Sequence, residues 1–268
     1  MPVKKAVIPA AGFGTRLLPL TKSIPKEMLL VDEKPVIQHV VEEALNAGIE
    51  DILIITGEGE EYIKKHFGPY EHKDRLVNDG KYRQLEAVEE IERLGEHIQY
   101  RRQEEQKGLG DAVMQAEDFV DGEDFAILFG DSFFRYGDNL LEDMVDVYEE
   151  YGANVAGATE YREEELSSHG ILDVKEVDKD RGIYEIRYAV EKPHPDDAPS
   201  NIGISSRYII SSEIFDSLRE IDPDETKGSY FTDAVVNNLE KEGERTLAYI
   251  SPYKRYHMTR PRDYRDLK

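Results

Sequence analysis

Gly12 and Gly14 bracket Phe13 directly after the apolar run 6–9, and Arg16, Lys22 and Lys26 follow closely in sequence. Glycines spaced this way let backbone N–H groups close on an anion, and neighbouring cations would neutralise it. That is the chemistry of a phosphate cradle. A plain glycine-rich turn with solvated cations reads equally well from these residues alone. Two familiar glycine loops do not fit. A dinucleotide fingerprint wants G-x-G-x-x-G entering a helix, with an acidic residue about 20 positions later. Gly12, Gly14 and Asp32 satisfy part of it, but Leu17 stands at the third glycine and Pro19 and Pro25 interrupt the helix. The pattern G-x-x-x-x-G-K-[ST] of a P-loop occurs nowhere in the chain.

The elements that would carry such a loop alternate through the first half. Strands are expected at 6–9, 52–56, 97–101 and 125–129, and helices at 36–47, 60–66, 82–94 and 111–119. Pro35 opens the first of these helices and Gly48 closes it; a polar connection occupies 68–80. This βαβ rhythm predicts a parallel sheet with ligands at the carboxyl ends of its strands. The most apolar strand, 125–129, stops at Gly130-Asp131. From Ala153 onward β-rich segments at 153–160, 170–177 and 182–191 predict a second, mixed lobe.

The 268 residues are enough for one large domain. With 34 Lys+Arg against 57 Asp+Glu the net charge is -23, which opposes broad attraction to nucleic acid or to anionic lipid. The absence of cysteine removes disulfides, thiolate metal sites and cysteine nucleophiles together. The N-terminus carries no signal-type apolar region and no run reaches transmembrane length, so a cytoplasmic protein is expected.

The segment "AVIPAAGFGTRLLPLTKSIPKEMLLVDEKPVIQHVVEEALNAGIEDILIITG" resembles the amino-terminal signature of the sugar-phosphate nucleotidyltransferases, and its "PKEML" resembles glucose-1-phosphate uridylyltransferases in particular. The resemblance continues in order through "RRQEEQKGLGDAV", "ILFGDSFF", "SHGI", "VEKP" and "PSNIGISSRYII". It implies an α/β fold: a Rossmann-like core with a mixed, mainly parallel central sheet and a smaller β-rich sugar-binding lobe. The chain would form one nucleotidyltransferase domain, 1–268, with a nucleotide-binding half at about 1–152 and a sugar-binding half at about 153–268.

The implied reaction joins a sugar 1-phosphate, glucose 1-phosphate by this resemblance, to the α-phosphorus of UTP. Its products are a UDP-sugar and pyrophosphate. By the same resemblance Ala10, Ala11, Gly12, Gly14 and Thr15 offer the loop to the triphosphate, and Arg16 and Lys26 bring catalytic charge to it. Glu27 would orient Lys26 or touch the nucleotide, unless it is an ordinary surface carboxylate. Gln103 and Gly108 match base-reading positions, where an amide supplies both donor and acceptor. Asp131 matches a ligand for Mg²⁺, a hard cation that shares its shell with phosphates and water; capping a turn is the plainer role. Gly130 would let a ligand approach closely. Gly170, Glu191 and Asn201 match sugar contacts, and Lys192 matches a second catalytic cation on the phosphates.

This sequence also departs from the pattern. Gln106 and Lys107 replace the usual proline and leucine, Asp111 a usual histidine, and His169 a usual tyrosine, the last a difference in packing. In "KRYHMTRPRDYRDL" the aspartate that serves relatives as second metal ligand aligns with His257, and the glycine two residues on with Thr259. Imidazole suits Mn²⁺ better than Mg²⁺. The tail is short of the C-terminal helices many relatives use for subunit contact, so it gives no support to a homo-oligomer. An active transferase using dTTP or CTP, and a catalytically impaired relative that binds nucleotide or nucleotide sugar as a regulatory module, remain alternatives.

Overall fold

The computed structural model describes residues 2–135, 137–221, 230–232, 235, 244–265 and 267. The first half runs β1 (Lys5–Ala10), a two-strand ribbon of β2 (Leu30–Val31) and β3 (Lys34–Pro35), α1 (Val36–Asn46) and β4 (Asp51–Thr56). It continues with α2 (Glu60–Phe67), α3 (Lys73–Asn78), α4 (Tyr82–Gly95), β5 (Ile98–Arg102), α5 (Leu109–Met114) and α6 (Glu117–Val120). Then come β6 (Phe125–Leu128), β7 (Ser132–Phe133) and α7 (Leu140–Tyr151). The second half holds β8 (Asn154–Glu160), β9 (Gly170–Asp178), β10 (Ile183–Glu191), β11 (Ile202–Ile210) and α8 (Ile214–Glu220). The last described elements are α9 (Tyr230–Thr232), β12 (Thr246–Ile250), β13 (Tyr256–His257) and α10 (Pro261–Arg265).

Nine strands form one sheet in the order β5-β4-β1-β6-β11-β8-β12-β10-β9. The first four lie parallel, as the βαβ rhythm requires. β11 then enters antiparallel to both β6 and β8 and so joins the two halves edge to edge. Beyond it the pairings are mixed, with β12 parallel to β8 and β10 antiparallel to its neighbours.

Both faces of the sheet are covered, and the strand period divides them. On β1, Ala6 and Ile8 pack with α1 residues such as Val40 and Val41, while Val7 turns to the side of Val113 and Ile127. α1 and α7 each bury a stripe at helical spacing: Val36, Ile37, Val40, Val41 and Ala44 on one, Leu140, Leu141, Met144 and Val147 on the other. α7, α3 and β11 were not among the expected elements. The helix expected at 111–119 is two short ones, α5 and α6, parted at Gln115 and Ala116.

One buried ion pair locks this frame beside the candidate site. Arg207 of β11, fully buried, pairs with Glu43 of α1 at 2.6 Å and donates to the Ser132 carbonyl at 2.9 Å. Removing either partner would leave a buried charge uncompensated, which costs about 3–5 kcal/mol. The pair thus holds β11, α1 and β7 together next to Asp131. No helix among the described residues is long and apolar enough to cross a membrane.

Candidate active site

β1 ends at Ala10, and the chain turns through Ala11 to Gly14 before a single 3-10 turn at Thr15–Leu17. Gly14 has φ 62°, a left-handed conformation that favours glycine, and its carbonyl accepts from Thr21 Oγ1 at 2.8 Å. Ala10 and Ala11 are buried, whereas Gly12, Thr15 and Arg16 are exposed. Pro25 ends the loop, and a second 3-10 turn, Lys26–Met28, folds Lys26 back beneath it. A Cβ on Gly12 would lie 3.5 Å from Lys26 Nζ, so the glycine leaves that ammonium close under the loop.

From the end of β6 comes Asp131, whose Oδ2 accepts a close charge-assisted hydrogen bond from Lys26 Nζ. From the C-terminal segment comes His257. β13 pairs with β7 so that His257 lies opposite Ser132, the Asp131 carbonyl accepts from Met258 N at 2.8 Å, and His257 Nε2 stands 3.4 Å from Asp131 Oδ1. Three distant stretches therefore converge on one carboxylate.

Burial pushes the Asp131 carboxyl up, but Lys26 and then His257 outweigh it and hold it well below the usual carboxylate range. Burial opposes the Lys26 ammonium too, yet Asp131 and Glu27 keep its pKa above the ordinary lysine value. Arg16 works in the opposite direction on Lys26, which puts its charge within reach of the same group. Glu27 is no surface carboxylate: it is 1% exposed and its Oε2 takes no hydrogen bond. Burial lifts its carboxyl to about 7, against the pull of Lys26. At Gly130 a Cβ would crowd the Pro9 carbonyl, Ala10 Cβ and Glu27 Cγ at 3.1–3.3 Å, so the glycine admits the chain's own close packing.

The positions expected to read the base sit at and beyond the end of β5. Gln103 is buried, its backbone N–H bonded to the Thr56 carbonyl at 2.9 Å, and its amide nitrogen donates to Gly108 O at 3.2 Å and Asp111 Oδ2 at 2.6 Å. Gly108 adopts φ 104° and ψ -172°, a region essentially confined to glycine, and the space beyond its Cα is open. Gln106, which the sequence marks only as a departure, lies against Gly57, where a Cβ would stand 3.0 Å from its Nε2.

On the second half, Gly170 and Glu191 face each other across the β9/β10 ladder, and Glu191 forms a close pair with Lys192. Lys192 holds φ 49° and its N–H donates to the His169 carbonyl at 3.0 Å. Asn201 is exposed and its carbonyl accepts from Tyr161 N at 2.8 Å. Sequence reasoning missed Tyr161 and Arg255. Tyr161 stacks on His169, centroids 4.0 Å apart, and its hydroxyl accepts from Arg255 Nη2 at 2.8 Å. His169 links the two groups, because after burial its strongest influences are Arg255 and His257. Only Arg255's place two residues before His257 in the matched segment could have flagged it.

The resemblance read from the sequence implies a divalent metal ion. Among the described residues no cluster of three His, Cys, Asp or Glu side chains could hold one. What the chain offers is one ionised carboxylate already shared with a lysine, and a nearby imidazole. That donor set fits an ion arriving on a triphosphate, whose oxygens complete the shell, rather than a resident ion.

A model of the nucleotidyl transferase family matches residues 5–254. A Bacillus subtilis protein named UTP–glucose-1-phosphate uridylyltransferase YngB is 43% identical over 241 residues, 90% of this chain and 80% of that protein. A Staphylococcus epidermidis UTP–glucose-1-phosphate uridylyltransferase is 42% identical over the same share of this chain and 83% of its own. A UDP-glucose pyrophosphorylase solved with UDP-glucose superposes with a TM-score of 0.85 at 34% identity, covering 99% of this chain and 97% of that one. With the family model spanning nearly the whole chain, and with the mixed α/β sheet and the charged cleft above in place, the chain belongs to the nucleotidyl transferase family.

Proposed function

We propose that this chain makes UDP-glucose from UTP and glucose 1-phosphate. An oxygen of the sugar phosphate attacks the α-phosphorus of UTP, the new O–P bond forms, and the bond to the bridging oxygen breaks to release pyrophosphate. Both reactants are anions, so the residues must supply positive charge and alignment rather than covalent chemistry. The observation that carries this reading is Lys26, an ammonium held under a glycine loop by a buried carboxylate in a protein of net charge -23.

In this reading residues 1–152 bind the nucleotide and 153–268 the sugar, although part of the second range lies outside the described residues. The backbone of Ala10, Ala11, Gly12, Gly14 and Thr15 lines the triphosphate, and Arg16 and Lys26 neutralise it. Gln103 and Gly108 read the base. Glu191, Gly170 and Asn201 take the sugar hydroxyls, and Lys192, half exposed, is free to leave Glu191 for a phosphate. Mg²⁺, with Mn²⁺ as a substitute, would be held by Asp131 with His257 beside it, and it would lower the charge on the reacting phosphates. Arg255 joins the sugar-phosphate side as a further cation.

The test is a pyrophosphate-release screen of UTP, dTTP, CTP and GTP against a panel of sugar 1-phosphates with Mg²⁺ or Mn²⁺. Release is expected with UTP and glucose 1-phosphate. His257 and the thin metal-ligand set favour one other reading, an impaired relative that binds nucleotide without turning it over. Nucleotide binding with no release from any combination would replace the enzyme by that module.

A further inference from the structure

The Gln103 amide has neighbours that leave it no choice of orientation. Gly108 O and Asp111 Oδ2, at 3.2 and 2.6 Å, are both pure acceptors, so the NH₂ end must face them and the oxygen must face away. A flipped amide would set oxygen against oxygen at both contacts. The oxygen that remains takes no hydrogen bond from any described residue. Nor is it sealed in: the only fully buried side-chain polar atoms without a partner, among the described residues, are Glu27 Oε2, Ser211 Oγ and Thr259 Oγ1. Gln103, buried at the end of β5, therefore has its amide oxygen, not its nitrogen, left to accept.

We propose that Asp111 is a specificity-determining positioning residue: by fixing the Gln103 amide with its oxygen outward, it makes the site select pyrimidines that carry an N3–H over cytosine. Uracil and thymine have a donor at N3, which the amide oxygen accepts. Cytosine has an acceptor there, which would meet it oxygen to nitrogen with no hydrogen between. The inference rests on the nucleotidyl-transfer reading for its substrate and goes beyond it by naming what sets the base.

The experiment compares the wild-type chain with Asp111→Ala and Asp111→Asn, measuring kcat/KM for UTP and CTP with glucose 1-phosphate, and, separately, calorimetric binding of UMP and CMP. Wild type should favour the uracil nucleotide in both assays. Asp111→Ala leaves only the longer contact to Gly108 O to hold the amide and should shrink that preference about tenfold, the size of one mismatched hydrogen bond. Asp111→Asn keeps an acceptor oxygen and should retain most of it. A wild type that prefers cytosine overturns the proposal, as does an Asp111→Ala chain that loses both nucleotides equally, since a merely structural role for Asp111 gives that result. Uracil preference in binding without turnover would sink the catalytic reading and leave this inference standing. Turnover with no uracil preference would do the reverse, and binding of neither monophosphate would sink both.

Discussion

Two lysine–carboxylate pairs stand among the candidate site residues, and they are built in opposite ways. Lys26 and Asp131 lie 105 residues apart in sequence, with side chains only 18% and 15% exposed. Lys192 pairs with its chain neighbour Glu191, and its side chain is 52% exposed. The first pair is a tertiary contact: the turn that carries Lys26 and the end of β6 must both be in place before it forms. The second is local and wet, worth about 0–1 kcal/mol. A buried, pre-paired cation suits a fixed platform for the triphosphate, while an exposed one suits a group that moves to its ligand.

The comparison breaks most sharply at Lys26. Lys26→Ala leaves a buried carboxylate without its main partner, so unfolding in denaturant should show a loss of about 3 kcal/mol, and turnover should fall roughly a thousandfold. Adding Asp131→Asn should recover much of the stability and none of the turnover. If Lys26→Ala is as stable as wild type, the platform role is wrong.

Lys192→Ala should separate the two properties. Stability should stay within about 0.5 kcal/mol of wild type, as for other surface changes, while turnover drops roughly a hundredfold through loss of one phosphate cation. Near-normal turnover would remove Lys192 from the reaction, and a large stability loss would show the local pair to be structural after all.

The same contrast explains what the sequence could tell. Strands and helices with strong periodicity, such as β1, α1, β4 and β6, were legible because each carries its own hydrophobic pattern. The glycine loop and Lys26 were legible as a candidate because the matched segment is contiguous. Glu27 was a candidate from the same segment, but its burial was not legible, since it depends on Gly130 lying against its Cγ from beyond the end of β6. Nor was the Gln103–Asp111 contact, which exists only because β5 and α5 meet at Gly108. Residues 140–151 carry a helical stripe as regular as that of α1, so α7 is open to the same reading.

A smaller effect is expected where the C-terminal segment reaches the buried pair. His257→Asp would set a second carboxylate beside Asp131, in place of an imidazole 3.4 Å from it. The variant should need less Mg²⁺ for half-maximal turnover and should shift its preference from Mn²⁺ toward Mg²⁺, because oxygen suits the harder ion. The same Mg²⁺ requirement and the same Mn²⁺/Mg²⁺ ratio as wild type would leave His257 as a neighbour of the metal rather than part of its shell.

The smallest effect concerns His169, whose carbonyl accepts from Lys192 N. Its ring is stacked on Tyr161 and surrounded by charge from Arg255, His257, Glu165 and Arg260. Burial first, and then Arg255 and His257, push its pKa down to about 4 from an ordinary 6.5, with only Glu165 opposing them. An unfolded chain would take up a proton at this position as pH falls through 6.5, whereas the folded chain refuses it until about 4. Protonation therefore favours the unfolded state across that window, stability drains as pH falls from 6.5 to 4, and the loss levels off below. Above 6.5 the residue contributes no pH dependence. His169→Tyr keeps a ring to stack on Tyr161 but has nothing to protonate, so its melting temperature should decline less than that of wild type on acidification. The difference between the two curves should be constant above pH 6.5 and grow below it. Parallel curves across the whole range would mean that the imidazole is protonated as easily in the fold as out of it, and that the cations of the C-terminal segment do not press on it.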